Sequence, residues 1–270
     1  MQVSRPVQRL CFGAGENGPR TLPEEVAVAL SFNGTTQAVM MATPADLIDF
    51  AYGFAMTEGI ATPADIESVD VVAVANGIDL QVWLKTEAEA RLSKRRRSRA
   101  GPVGCGLCGI DSLDEAMRKL PPVPKSTFTM TPSEVMQAIA SLPAAQPLHD
   151  ATRAVHAAGF WSGGLLATRE DVGRHNALDK LIGHMVRLKA HPTGAILLTS
   201  RVSIDMVQKV AAFGAAILIA VSAPTAHAVT LADEAGITLV ALARPDRFEV
   251  FSHPARLILD SKIAETAHVA

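Results

Sequence analysis

Three apolar runs near the end of the chain, 195–199, 216–221 and 237–242, begin 21 residues apart. Each gap has room for one helix, expected at 203–213 and 225–235. Strand, helix and strand repeated at that spacing builds parallel strands joined by right-handed crossovers. Upstream, "GGLLATRED" (163–171) reads as a fourth strand and "HNALDKLIGHMVRLK" (175–189) as the helix after it. In that helix Ala177, Leu178, Leu181, Ile182, Met185 and Val186 recur at helical spacing. An α/β unit with a mostly parallel sheet is therefore expected over 125–270.

Each of these strands runs out into polar residues. They are Ser200 and Arg201, Ser222 to Thr225, Arg244 to Arg247, and Glu170, Asp171, Arg174 and His175. If the four strands are parallel, all four groups share the carboxyl edge of the sheet, where open α/β folds bind ligands. Free helix amides and arginines at such an edge favour an anion such as a phosphate. Read singly, Ser203 and Pro224 are ordinary helix-start residues.

The first part of the chain has a different rhythm. Residues 24–43 form two apolar runs around Asn33-Gly34, and residues 66–85 repeat the pattern around Asn76-Gly77. Both read as β-hairpins. Between them, Thr43-Pro44 is expected to open a helix with Leu47, Ile48, Phe50, Ala51 and Phe54 on its apolar face, ended by Gly59. Residues 1–93 are thus expected to form a small α+β unit. A basic, glycine-rich connection follows at 94–124, and its Pro121-Pro122-Val123-Pro124 marks the start of the second unit.

Within the connection, "GPVGCGLCGIDSLDE" (101–115) satisfies two motifs at once. Gly104, Gly106 and Gly109 match a dinucleotide-binding turn, but that turn needs an apolar strand before it. Here "RLSKRRRSRAGPV" precedes it instead. Cys105-x-x-Cys108 fits its surroundings better. The thiolate is the reactive form, and cations or a helix N-terminus lower a thiol pKa. Lys94, Arg95, Arg96, Arg97 and Arg99 precede the pair, and a helix is expected over 111–120. A structural zinc site would need two more ligands, with Cys11, His156 or His175 to supply them. A solvated charge run and a thiol–disulfide oxidoreductase also remain open. A zinc deaminase is excluded, because Ala158 stands where its glutamate belongs relative to His156.

Whole-chain properties narrow the class. Hydrophobic residues make up 49% of the 270 and charged residues 19%, a globular balance. A net charge of −2 argues against a generic nucleic-acid binder, and nine Phe, two Trp and one Tyr give little for stacking bases. The start of the chain lacks a signal-peptide pattern, and the most apolar stretch, 210–221, is too short to span a membrane. Three cysteines make a disulfide framework a poor explanation, so a cytoplasmic location is expected.

At "REDVGRHNALDKLIG" (169–183) the chain resembles the formate dehydrogenase accessory sulfurtransferases, the FdhD family. "VGCGLCG" (103–109), "TSRVSIDMVQKVA" (199–211), "VSAPTAHAVTLADEAG" (221–236) and "AVMMATPADLIDFAYGFAMTEGI" (38–60) carry the same resemblance. It runs in order from about residue 24 to 256. The resemblance implies a homodimer with a cytidine-deaminase-like, three-layer α/β core. It implies a sulfur carrier that takes a persulfide from a cysteine desulfurase and passes it to the molybdenum bis(molybdopterin guanine dinucleotide) cofactor required by formate dehydrogenase. The persulfide position maps onto Cys105 and its partner onto Cys108.

The family's cofactor-binding stretch maps onto Leu242, Ala243, Arg244, Pro245, Asp246 and Arg247. Family members often carry Gly-Phe-x-Arg where this chain has Ala241-Leu242-Ala243-Arg244, which keeps the arginine. The strand-end residues Ser200, Arg201, Ser222, Thr225, Arg174 and His175 are the accompanying candidates for the phosphates and pterin. The cofactor enters as a bound substrate, and no permanent metal is expected. A cofactor chaperone without sulfur chemistry is the alternative. Asp171 is expected to hold an arginine or a helix start, and His156 to be a hydrogen-bonded packing residue. Cys11 has no assigned role.

Overall fold

The computed structural model describes residues 2–13, 15–90 and 122–258. A β1–β2 ribbon (Ser4–Arg9, Gly18–Pro23) precedes a four-stranded sheet of β3 (Val26–Phe32), β4 (Thr35–Ala42), β5 (Ile66–Val74) and β6 (Gly77–Leu84). Its order is β4-β3-β6-β5, with β3 and β6 parallel at the centre and each paired to its own hairpin partner outside. Both residues of the Asn33-Gly34 turn have positive φ, 46° and 75°, the backbone that this pair tolerates best. Leu30, Phe32, Leu80 and Val82 point to one face. There they meet Phe50 and Phe54 of α1 (Leu47–Thr57), with Phe32 stacked on Phe54 at 6.5 Å.

That helix starts later than expected. Asp46 sits in the left-handed region (φ 52°) just before it, so the helix cannot extend back to Thr43. Thr43 is instead fully buried and consumed by long-range bonds. Its amide donates to Asp171 Oδ2 (3.0 Å), and its hydroxyl accepts from the Val172 amide (3.1 Å). Ile48, expected on the apolar face, is exposed. Gly59 ends the helix at φ 63°, as a glycine can at little cost.

The second sheet has six strands in the order β12-β11-β10-β9-β7-β8. They are β7 (His156–Trp161), β8 (Leu165–Asp171), β9 (Ala195–Leu198), β10 (Ile217–Ala220), β11 (Thr238–Arg244) and β12 (Arg247–Ser252). Strands β9, β10 and β11 are parallel, linked by α5 (Ile204–Phe213) and α6 (Ala226–Glu234). β7, absent from the sequence expectation, lies between β8 and β9 and is antiparallel to both. Two reversals restore direction, so β8 points the same way as β9–β11. The four polar strand ends thus share one edge, although β8 and β9 are not neighbours. Arg244 to Arg247 is not an open strand end, because the chain turns at Pro245-Asp246 into β12.

Three layers result. One sheet face packs on α5, α6 and α4 (Arg174–Arg187) through Leu178, Leu181, Ile196, Leu198, Leu218 and Leu239. The other packs on α2 (Pro132–Ser141), where Val135 and Ile139 meet Leu197, Ile219 and Val240. A short α3 (Pro147–Thr152) follows α2.

The α1 helix joins the two sheets by lying directly on α4. A Cβ added to Gly53 would stand 1.7 Å from the Asp179 carbonyl oxygen, and one on Gly183 1.7 Å from that of Asp49. Only glycine permits so close a backbone approach. Ion pairs centred on the buried Asp49, Asp179 and Lys209 flank the crossing. Asp49 holds Arg169 (2.8 Å) and Arg187, while Asp179 and Glu58 hold Lys209 (2.9 and 2.7 Å).

Candidate functional site

Along the carboxyl edge the α2–α3 side of the sheet opens into a cavity of about 720 Å³. That is the size range of small-molecule sites. Its apolar wall includes Ile139, Leu142, Val155 and Val221, and its polar lining includes Gln146, His149, Arg153, His156, Thr199 and Arg244. Two guanidinium groups and two imidazoles line it, and among the described residues no carboxylate does, although Asp150 pairs with Arg153 (3.3 Å). The composition suits an anion with an apolar or aromatic portion.

The basic wall is held from β8. Pro147 opens α3, and the amides of Leu148 and His149 donate to Glu170 Oε2 (2.9 Å) and Oε1 (2.7 Å). Arg153 follows α3 as its left-handed cap (φ 59°), and its amide donates to the His149 carbonyl (2.6 Å), which closes the turn that carries both residues. Arg244 sits at the far end of the cavity and spends one guanidinium nitrogen on the carbonyls of Val221 (2.5 Å) and Ala243 (2.9 Å). Just before it, Leu242 adopts φ 53°, rare for a side-chain-bearing residue, within a register shift between Ala241 and Arg244. Bulges and strained residues of this kind gather next to functional sites.

On the opposite face of the same edge, Asp171 organises the start of α4. This fully buried carboxylate accepts from Lys180 Nζ (2.5 Å), the Thr43 amide (3.0 Å), the Gly173 amide (2.7 Å) and Asn176 Nδ2 (3.0 Å). The helix-start role expected for it is present, with a lysine in place of an arginine. The α4 N-terminus then presents Arg174 and His175. Arg174 Nε is buried and meets no hydrogen-bond partner among the described residues. His175 Nε2 lies 3.3 Å from Asp205 Oδ2. That contact holds the Asp205 carboxyl below its usual range, against a smaller upward push from burial.

The other candidates divide. Ala243, Arg244 and Pro245 line the cavity. Leu242 and Arg247 border a smaller hollow of about 190 Å³, which Arg244 also touches. Asp246 and Arg247 are exposed. Ser200 is buried with its hydroxyl turned to the Arg201 carbonyl (3.1 Å), while the Arg201 side chain is exposed. Thr225 caps α6 by accepting from the Ala228 amide (3.2 Å), and the Ser222 carbonyl accepts from the Leu242 amide. Cys105 and Cys108 lie outside the described residues.

His156 corrects an expectation. It lines the cavity, and among the described residues no group hydrogen-bonds its ring. The α3 wall, with Gln146, His149 and Arg153, was not anticipated. The basic pair spaced by four after Pro147 was the one signal for it.

Fold and site together define a three-layer α/β protein with a basic ligand cavity at the carboxyl edge of its sheet. The chain belongs to the FdhD/NarQ family, whose model matches residues 23–258. It is 52% identical over 252 residues to the "Sulfur carrier protein FdhD" of Agrobacterium fabrum, covering 92% of this chain and 93% of that one. The protein of the same name from Brucella abortus is 51% identical over 264 residues, covering 95% and 98%. A crystal structure of a candidate formate dehydrogenase accessory protein from Desulfotalea psychrophila superposes with a TM-score of 0.75. It is 25% identical, over 95% of this chain and all of that one. No helix among the described residues is long and apolar enough to cross a membrane.

Proposed function

We propose that the protein carries sulfur for the maturation of formate dehydrogenase. In this reading Cys105 takes sulfur from a cysteine desulfurase, and the sulfur passes to the molybdenum bis(molybdopterin guanine dinucleotide) cofactor. Cys108 assists by attacking the Cys105 sulfur, so that a Cys105–Cys108 disulfide forms, the outer sulfur leaves at the sulfide level, and a cellular thiol reductant later reopens the pair. The cofactor is bound as a substrate, with a nucleotide arm in the cavity that ends on Arg244. The first transfer is a thiol exchange. The Cys105 thiolate attacks the outer sulfur of the desulfurase persulfide, a sulfur–sulfur bond forms, and the desulfurase cysteine leaves as a thiolate. Family membership supports the carrier role. The observation that carries the cofactor half is the cavity itself: it is basic, lined by no carboxylate among the described residues, and bounded by Ala243, Arg244 and Pro245.

Two measurements test the two halves. After incubation with a desulfurase and cysteine, mass spectrometry should find one added sulfur on the Cys105 peptide, and none in Cys105→Ala. An adduct confined to Cys108 overturns the assignment. Titration with GDP should show binding that weakens at least about tenfold in Arg244→Ala, the scale of one lost charge-assisted hydrogen bond. Restoration of formate dehydrogenase by a variant lacking both cysteines would favour a chaperone without sulfur chemistry.

A further inference from the structure

His156 lines the cavity at the start of β7 and lies on the strand face it shares with Asp171 and the α4 N-terminus, so it stands at the rim between the two sides, among mostly basic groups. His149 and Arg153 line the cavity from α3, and Arg244 does so from β11. Arg174 and His175 of α4 lie close enough to act on the His156 ring electrostatically. Among the described residues the carboxylates of these elements are all engaged, Asp150 of α3 by Arg153 (3.3 Å). Asp171, opposite His156 in the β7–β8 register, is taken by Lys180 and three other donors. Glu170 is taken by the two α3 amides, and Asp205 faces His175. Among the described residues, no unengaged carboxylate lines the cavity to share a proton with His156.

We infer that the cavity takes up a proton when an anionic ligand enters, and that His156 is the group that accepts it. This rests on the reading of the cavity as the nucleotide-arm site. The imidazole is held below its usual pKa, first by burial and then by Arg174, His149 and His175. It is therefore neutral near pH 7 and offers a single N–H donor. A pyrophosphate placed among these groups reverses the sign of the local field and favours the imidazolium, which has two donors for its oxygens. The balance is simple: the proton comes from solvent onto the ring, no bond in the ligand changes, and departure of the ligand returns the proton. Binding that takes up a proton weakens as pH rises, so affinity falls by up to about tenfold per pH unit between the pKa values of the empty and the filled cavity.

The test is calorimetric titration of the full chain with GDP-mannose, whose esterified pyrophosphate does not titrate near neutrality. Titrations at pH 7 in Tris and in bis-Tris, cationic buffers with different ionisation enthalpies, give the number of protons exchanged. The expected result is binding with net uptake of up to about one proton in the wild type. Uptake should be absent in His156→Asn and His156→Gln, which still bind more weakly, and retained in His149→Asn. Binding without uptake overturns the inference and leaves the cavity assignment standing. Uptake that persists in both His156 variants moves the role to another group and overturns it as stated. Absence of any binding by the wild type removes the cavity assignment and this inference together.

Discussion

Lys209→Met tests how the α1 unit is locked to the α/β sheet. Lys209 Nζ lies 2.9 Å from Asp179 Oδ2, 2.7 Å from Glu58 Oε1 and 3.0 Å from Thr57 Oγ1, with both Lys209 and Asp179 almost wholly buried. Methionine keeps most of the stem and removes the ammonium group, which lies 5.8 Å from the Phe54 ring centroid. Glu58 can turn to water, but Asp179 cannot. Removing one partner of a buried ion pair costs about 3–5 kcal/mol. At about 2–4 °C per kcal/mol for a chain of this size, the thermal midpoint should fall by about 6–20 °C. Adding Asp179→Asn should recover at least about 2 kcal/mol, because the stranded charge is then gone.

The loss also has a pH signature. Burial pushes the Asp179 carboxyl up, and Lys209 pulls it back; in the variant that pull is missing. From about pH 4 upward the unfolded chain then releases a proton that the folded chain retains, so folded stability declines as pH rises. The deficit of Lys209→Met should therefore be smaller at pH 5 than at pH 8 in urea melts. An equal deficit at both pH values, with no recovery in the double variant, would refute the electrostatic account and leave Lys209 as a packing residue.

Two further predictions concern the same framework. Gly183→Ala should cost about 3 kcal/mol or more, read as a lower thermal midpoint or loss of soluble protein, because its Cβ would press on the backbone of Asp49 and Gly53. Asp205→Asn should cost less than about 1 kcal/mol at pH 7, since Asp205 is only half-buried. A depressed carboxyl pKa contributes stability above its unfolded value near 3.9 that is lost as pH falls through the folded one. The urea midpoints of Asp205→Asn and wild type should thus converge between pH 5 and pH 3, and a constant gap would contradict the His175 contact as its cause.

Local rules carried much of the fold. Asn-Gly pairs located both hairpins of the first sheet, and the 21-residue spacing located β9, β10, β11 and the helices between them to within about two residues. The failures have physical causes. The β7 strand, "HAAGFW", is a short run of mostly small residues without alternation, so nothing in it distinguishes strand from loop. The α1 start obeyed the capping rule at Thr43 and was overridden by Asp171, 128 residues away. The cavity wall escaped notice because α3 has only six residues, too few to display a period. For the site, the cavity end at Ala243 to Pro245 followed from the family resemblance, whereas His149, Arg153 and His156 became visible only when β7 and α3 were placed beside β11.

The sequence Arg169-Glu170-Asp171 explains why both faces of this edge stay in register. Three successive charges are unusual in a strand, and β8 can carry them because it ends the sheet, where charge also discourages pairing with another chain. Side chains alternate along a strand, so Arg169 and Asp171 share one face and Glu170 takes the other. Arg169 reaches Asp49 of α1, Asp171 fixes the turn into α4, and Glu170 fixes the start of α3. Arg174 and His175 on one face, and His149 and Arg153 on the other, are therefore spaced by a single stretch of extended backbone. Because Arg169 also ties that stretch to α1, movement of the first unit against the second would shift both basic groups together. The helix crossing at Gly53 and Gly183 thus belongs to the geometry of the cavity as much as to the stability of the fold.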